Sequence, residues 1–109
     1  MQRFGQVIRL GADDVARYKA LHASVWVDVL AVISACHLTN YSIFLREPEG
    51  LLFAYFEYVG EDFDADMAAM AADPTTQQWW AVTMALQQPL STRADGEWWA
   101  STEEVFHLD

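Results

Sequence analysis

Tyr18, His22 and Trp26 stand four residues apart in the segment Arg17–Trp26. On a helix that spacing stacks the three side chains on successive turns of one face. The same face carries an apolar stripe, Val15, Tyr18, His22, Val25, Val29, Val32 and Cys36, at steps of three and four. His22 is therefore predicted to point inward between aromatic neighbours. Imidazole titrates near neutral pH, so an enclosed His beside Tyr and Trp is a candidate for proton transfer. Read as packing alone, the same pattern is a core histidine hydrogen-bonded to a neighbour.

Aromatics dominate the remaining chemistry. The chain has five Trp and four Tyr in 109 residues. Trp79 and Trp80 are adjacent on a predicted helix and diverge by about 100°, so one faces the core and the other a rim or pocket. An indole at a pocket wall is a platform for the C–H face of a sugar ring. The packing alternative makes Trp80 a core anchor and Trp79 a contact to a partner. His22, His37 and His107 form no i, i+4 pair, and no Cys or carboxylate stands beside them at ligand spacing, so no metal or other cofactor is expected. The sequence has no Gly-rich phosphate loop and no Gly-x-Ser-x-Gly. The acidic pairs Asp13-Asp14 and Glu103-Glu104 read as caps and solvated faces.

Composition bounds the setting. Six basic residues against sixteen acidic give a net charge of −10, which argues against nucleic acid or an anionic membrane as partner. The lone Cys36 allows no internal disulfide and fits a small buried hydrophobe. Met1 to Gln6 lack the apolar core of a signal peptide, and no apolar run approaches a membrane span, so a cytoplasmic protein is expected. The length suits a single domain over residues 1–109.

The elements that would hold these residues follow in order. Phe4–Leu10 alternates as a first strand, with Phe4, Gln6, Ile8 and Leu10 on one side. Gly11–Asp14 is a turn suited to capping, and one helix is predicted from about Asp14 to Ala35, with Ser24 as a point of bending. Asn40–Leu45 is a second strand with Tyr41, Ile43 and Leu45 on one face and Asn40, Ser42 and Phe44 on the other. Arg46–Gly50 is a hairpin turn. Leu51–Val59 is a third strand that is apolar on both faces, so it needs a second cover, for which another subunit is the natural source. A second helix spans Asp62–Ala72 with Phe63, Met67, Met70 and Ala71 inward. Asp73-Pro74 starts a third helix running to about Gln88. Ser91–Gly96 is a polar loop, Trp98-Trp99 a hydrophobic clip or partner contact, and Glu103–Leu108 a last strand. The order strand, helix, strand, strand, helix, strand is the split β-α-β pattern of a ferredoxin-like α+β fold. That fold is a four-stranded antiparallel sheet with helices on one face, and pairing of the bare faces gives a dimeric α/β barrel.

Taken together, Tyr18-x-x-x-His22-x-x-x-Trp26, Asn40–Leu45, Leu52-Phe53-Ala54, Gln78-Trp79-Trp80 and Glu104–Leu108 resemble the L-rhamnose mutarotases over the whole chain. The resemblance implies a ferredoxin-like homodimer whose sheets associate and whose C-terminal strand helps bind the partner. It implies anomer interconversion of a monosaccharide, L-rhamnose or a related deoxysugar. Carried over by position, His22 matches the catalytic proton donor, and Tyr18, Tyr41, Trp79 and Trp80 match sugar-binding residues. The family's Asn-Pro after the histidine is here Ala23-Ser24, its Pro-acid after the tryptophan is Val27-Asp28, and Gln78 stands where a basic residue is common. Two other readings of a small dimeric barrel are a haem-degrading or antibiotic-biosynthesis monooxygenase using Asn40, Trp79 and His22, and a sugar-binding domain without catalysis.

Overall fold

A computed structural model describes residues 1–109. Strands β1 (Gln2–Leu10), β2 (Leu38–Arg46), β3 (Leu51–Tyr58), β4 (Gln87–Gln88) and β5 (Ala100–Ser101) form one antiparallel sheet. Its order is β2-β3-β1-β4, with β5 also on β1. Helices α1 (Val15–Ala23), α2 (Val27–Ala35), α3 (Phe63–Ala72) and α4 (Pro74–Met84) accompany it. The ferredoxin-like α+β architecture expected from the element order is present.

The inward face of the sheet alternates as the sequence demands. Ile8 and Leu10 on β1 and Leu52, Ala54, Phe56 and Tyr58 on β3 are buried. One apolar cluster gathers Ile8, Leu10, Tyr18, Leu52 and Leu86. A second gathers Cys36, Leu38, Phe56, Tyr58 and Met70. Cys36 is the small buried hydrophobe expected. The hairpin turn closes at Gly50, whose φ is +69° and whose position leaves a Cβ only 2.7 Å from the Leu10 carbonyl oxygen.

β2 begins earlier than expected and carries a bulge. Thr39 pairs with Glu57 and Ser42 with Tyr55, so three steps on β2 match two on β3. Asn40 within it takes the left-handed conformation (φ 49°), which Asn adopts more readily than most residues. Leu38 and Tyr41 can then both face the helices despite their odd spacing. Asn40 turns to the opposite face, where its amide donates to Glu57 at 2.7 Å.

Three expected elements are corrected. The single helix over 14–35 is two helices bent by 75°, preceded by a 3₁₀ turn over Ala12–Asp14. Ser24 (φ −145°) and Trp26 (ψ 132°) leave helical geometry, and the Trp26 carbonyl restarts the ladder by accepting from the Val29 and Leu30 amides. Val25, Val27 and Val29 are β-branched and add little helix propensity across the break. The Asp14 side chain caps neither helix. The third helix stops at Met84, and Gln87–Gln88 becomes a strand. The last strand is not Glu103–Leu108, which pairs with nothing in the chain; β4 and β5 instead share the fourth position, pairing with Arg9–Leu10 and Gln6–Val7. Ala71, expected inward, is exposed. The start of α4 is as read: the Asp73 carboxylate accepts from the Thr76 amide at 2.8 Å, with Pro74 in the first turn. No single helix is long and apolar enough to cross a membrane.

Candidate active site

The sheet and the helices enclose a cavity of about 520 Å³. Tyr18 and His22 reach it from α1, Tyr41 from β2 and Trp79 and Trp80 from α4. Every residue predicted for the site therefore lines one space. Gln6, Gln87 and Glu97 add polar groups to the wall, and Phe56, Phe63, Met67 and Met70 form an apolar part.

His22 is fixed by its neighbours. Its ring stacks on Tyr18 at 4.2 Å, and Trp79 meets it edge-on at 5.3 Å. His22 Nδ1 lies 2.9 Å from the Tyr18 carbonyl oxygen. A carbonyl only accepts, so Nδ1 carries a proton and donates. In the neutral ring this leaves Nε2 as the basic nitrogen, and in the charged ring as a second donor. The ring can thus take or give one proton at Nε2 without losing its anchor.

The two phenols stay protonated. Burial pushes the Tyr18 hydroxyl above its ordinary pKa, against a hydrogen bond from Gln87 that acts the other way. Tyr41 is 41% exposed as a residue, yet burial around its hydroxyl, reinforced by the Tyr18 phenol, pushes it up to about 12. Both are hydrogen-bonding hydroxyls at neutral pH, not bases. Tyr41 also packs against Phe56 at 5.3 Å.

The tryptophans divide as their 100° divergence requires. Trp79 is buried and braced by Trp26 at 5.1 Å; Trp80 is half-buried against the second apolar cluster. Trp79 is thus a core residue of the site wall and not a contact to a partner, because α4 turns it onto α1. Trp26 lies past the end of α1 and supports Trp79 from behind without lining the cavity. Gln78, the departure beside this pair, is exposed away from the cavity. The helix break beside His22 forms although neither proline is present.

The sequence reading missed Gln6, Gln87 and Glu97. Gln6 shares a side of β1 with Phe4, Ile8 and Leu10 but belongs to no motif, and Gln87 falls within the span predicted as helix. Glu97 is held below the usual carboxylate range chiefly by the Ser101 hydroxyl, then by the Ala94 and Ser101 amides. Trp98 and Trp99 turn out to line the cavity and pack on the first apolar cluster. No three His, Cys, Asp or Glu side chains converge as metal ligands.

A family model described as L-rhamnose mutarotase matches residues 3–108. The chain belongs to the L-rhamnose mutarotase family. An L-rhamnose mutarotase of Lactiplantibacillus plantarum is 33% identical, with 100% of each chain covered. One of Opitutus terrae is 34% identical, again over 100% of both. A crystal structure of an L-rhamnose mutarotase from Formosa agariphila superposes with TM-score 0.79 at 22% identity, covering 100% of both chains. Tetracenomycin F2 cyclase from Streptomyces glaucescens, a type-II polyketide cyclase, gives 0.74 at 14% identity over 100% of this chain and 98% of its own. The likeness of the last two is one of fold.

Proposed function

We propose that this member of the mutarotase family interconverts the α and β anomers of L-rhamnose or a related deoxysugar, with His22 as the proton carrier. The observation that supports this most is the anchored Nδ1 of His22, which presents a single exchangeable site at Nε2 inside an aromatic cavity. Ring opening removes the proton from the anomeric hydroxyl, breaks the bond between the anomeric carbon and the ring oxygen, and adds a proton to the ring oxygen. The aldehyde then rotates and closes on its other face, with the protons returned. His22 serves one of these two oxygens. Tyr18 and Tyr41 hydrogen-bond the sugar, Trp79 and Trp80 wall it, and the apolar end of the cavity accepts a deoxy carbon. The chemistry is an isomerisation by general acid and base, and it consumes no cofactor.

The monooxygenase alternative required Asn40, Trp79 and His22 to meet. The bulge sends Asn40 to the other face of the sheet, where Glu57 holds it, so that trio does not form.

The reading includes a homodimer formed on the outer face of the sheet. Phe44 and Phe53 are cross-strand partners there and are 63% and 43% exposed. Val105, Phe106 and Leu108 in the C-terminal segment are also exposed. Two such faces would cover each other, and the unpaired segment would find its edge on the partner.

Saturation transfer between the α and β anomeric proton signals of L-rhamnose tests the function. Wild-type protein is expected to produce exchange. His22→Ala is expected to slow it by about 10²–10⁴-fold, the worth of a positioned acid or base. Exchange at the wild-type rate in that variant would refute the role of His22; absence of exchange with wild-type protein and several deoxysugars would refute the activity and leave a sugar-binding domain.

A further inference from the structure

Gln87 is a buried amide held at both ends. The Trp98 indole donates to its Oε1 at 2.9 Å, and its Nε2 donates to the Tyr18 hydroxyl at 3.1 Å. An indole N–H can only donate. The amide oxygen must therefore face Trp98, and the amide nitrogen must face Tyr18. The Tyr18 oxygen is committed as an acceptor, and no group in the chain accepts its proton. That proton has only the cavity to point into.

We propose that Gln87, aligned by Trp98, is a positioning residue that fixes the Tyr18 hydroxyl as a hydrogen-bond donor toward a sugar oxygen. For the identity of the ligand this rests on the mutarotase reading. The device joins three parts of the chain: α1 supplies Tyr18, β4 supplies Gln87, and the segment between β4 and β5 supplies Trp98. Its effect belongs to the reaction more than to binding. The ring oxygen gains negative charge as its bond to the anomeric carbon breaks, so a donor already aimed at it strengthens during the step.

Gln87→Glu keeps the shape and still accepts from Trp98. Ionised, its carboxylate only accepts, so the Tyr18 proton turns toward it and away from the sugar. The expected result is a kcat about tenfold lower, the worth of one hydrogen bond, with KM little changed. The ratio of variant to wild-type kcat should rise as pH falls and the new carboxyl becomes protonated. Trp98→Phe keeps an aromatic ring but frees the amide, and should lower kcat in the same way without the new pH dependence.

A readout independent of turnover is the ionisation of Tyr18, taken as the difference in tyrosinate absorbance between each protein and its Tyr18→Phe counterpart. The Gln87 N–H favours the phenolate, so Gln87→Met should move the Tyr18 midpoint upward. An unmoved midpoint, or a kcat ratio for Gln87→Glu that is flat with pH, overturns the proposal. Wild-type protein that exchanges no anomers overturns the mutarotase reading instead, and the Tyr18 titration still decides this one.

Discussion

At the scale of single residues, the site works by removing choices. His22 has two ring nitrogens, and the Tyr18 carbonyl takes one of them. Trp79 then limits the tilt of the ring from the side. His22→Gln should retain much of the packing and lose the basic ring nitrogen; the expected outcome is loss of exchange with sugar still quenching tryptophan fluorescence. Trp79→Ala removes a buried indole that touches both His22 and Trp26. Such truncations typically cost about 3–5 kcal/mol, so the urea midpoint should fall steeply, whereas Trp80→Ala, at a half-buried position, should cost less. Residue types and spacing make Tyr18, His22, Trp79 and Trp80 legible as a set, whereas Tyr41 joins it only through the resemblance to the mutarotases. Gln87 is not legible, because its role arises from Trp98 eleven positions on, and local periodicity carries no record of that partnership.

At the scale of elements, the strong signals were short-range ones. Asp62 and Asp73 cap their helices through their own carboxylates, a contact decided within four residues. The break between α1 and α2 was harder to see, because no proline marks it and the apolar stripe runs straight across. Trp26 already has the extended geometry that precedes a proline, and Val27 is an exposed first helical residue. Val27→Pro should accordingly stabilise the protein by about 0.4–1 kcal/mol, chiefly by restricting the unfolded chain; a lower urea midpoint would contradict it.

The joint between β3 and α3 predicts a pH response. Asp66 accepts from the Tyr58 hydroxyl and from His37 Nδ1, which hold its carboxyl below the usual value. Burial and that same Asp66 push Tyr58 up to about 12. A depressed carboxyl adds stability above its unfolded pKa and loses it as pH falls through the folded one. A raised phenol adds stability below its unfolded pKa and loses it as pH climbs toward the folded one. Stability should therefore drop below about pH 4 and again above about pH 10, and Asp66→Asn should flatten the acid limb of the melting curve.

At the scale of the molecule, two surfaces lie back to back on one sheet. The helix side holds the cavity; the other side holds Phe44, Phe53 and the exposed C-terminal segment. The apolar outer half of β3 was readable as a demand for a second cover. The apolar residues Val105, Phe106 and Leu108 are readable as a strand, yet the segment pairs with no strand of its own sheet. Thr102 meets the Gly5 carbonyl, Arg3 grips Glu104, and the segment then runs free of the sheet. For the proposed homodimer, wild-type protein should sediment as a dimer and Phe53→Glu as a monomer that still melts cooperatively; a wild-type monomer would refute the dimer, and a variant dimer would move the interface elsewhere. The bulge at Thr39–Ser42 connects the two sides. It works as a single link of slack in β2. Lose the one extra residue there and β2 becomes a regular ladder with Leu38 and Tyr41 still on one face; lose a second and Leu38 exchanges faces relative to Tyr41. The stretch can thus give up its single extra residue but not a second, and natural variation in its length should stop at one.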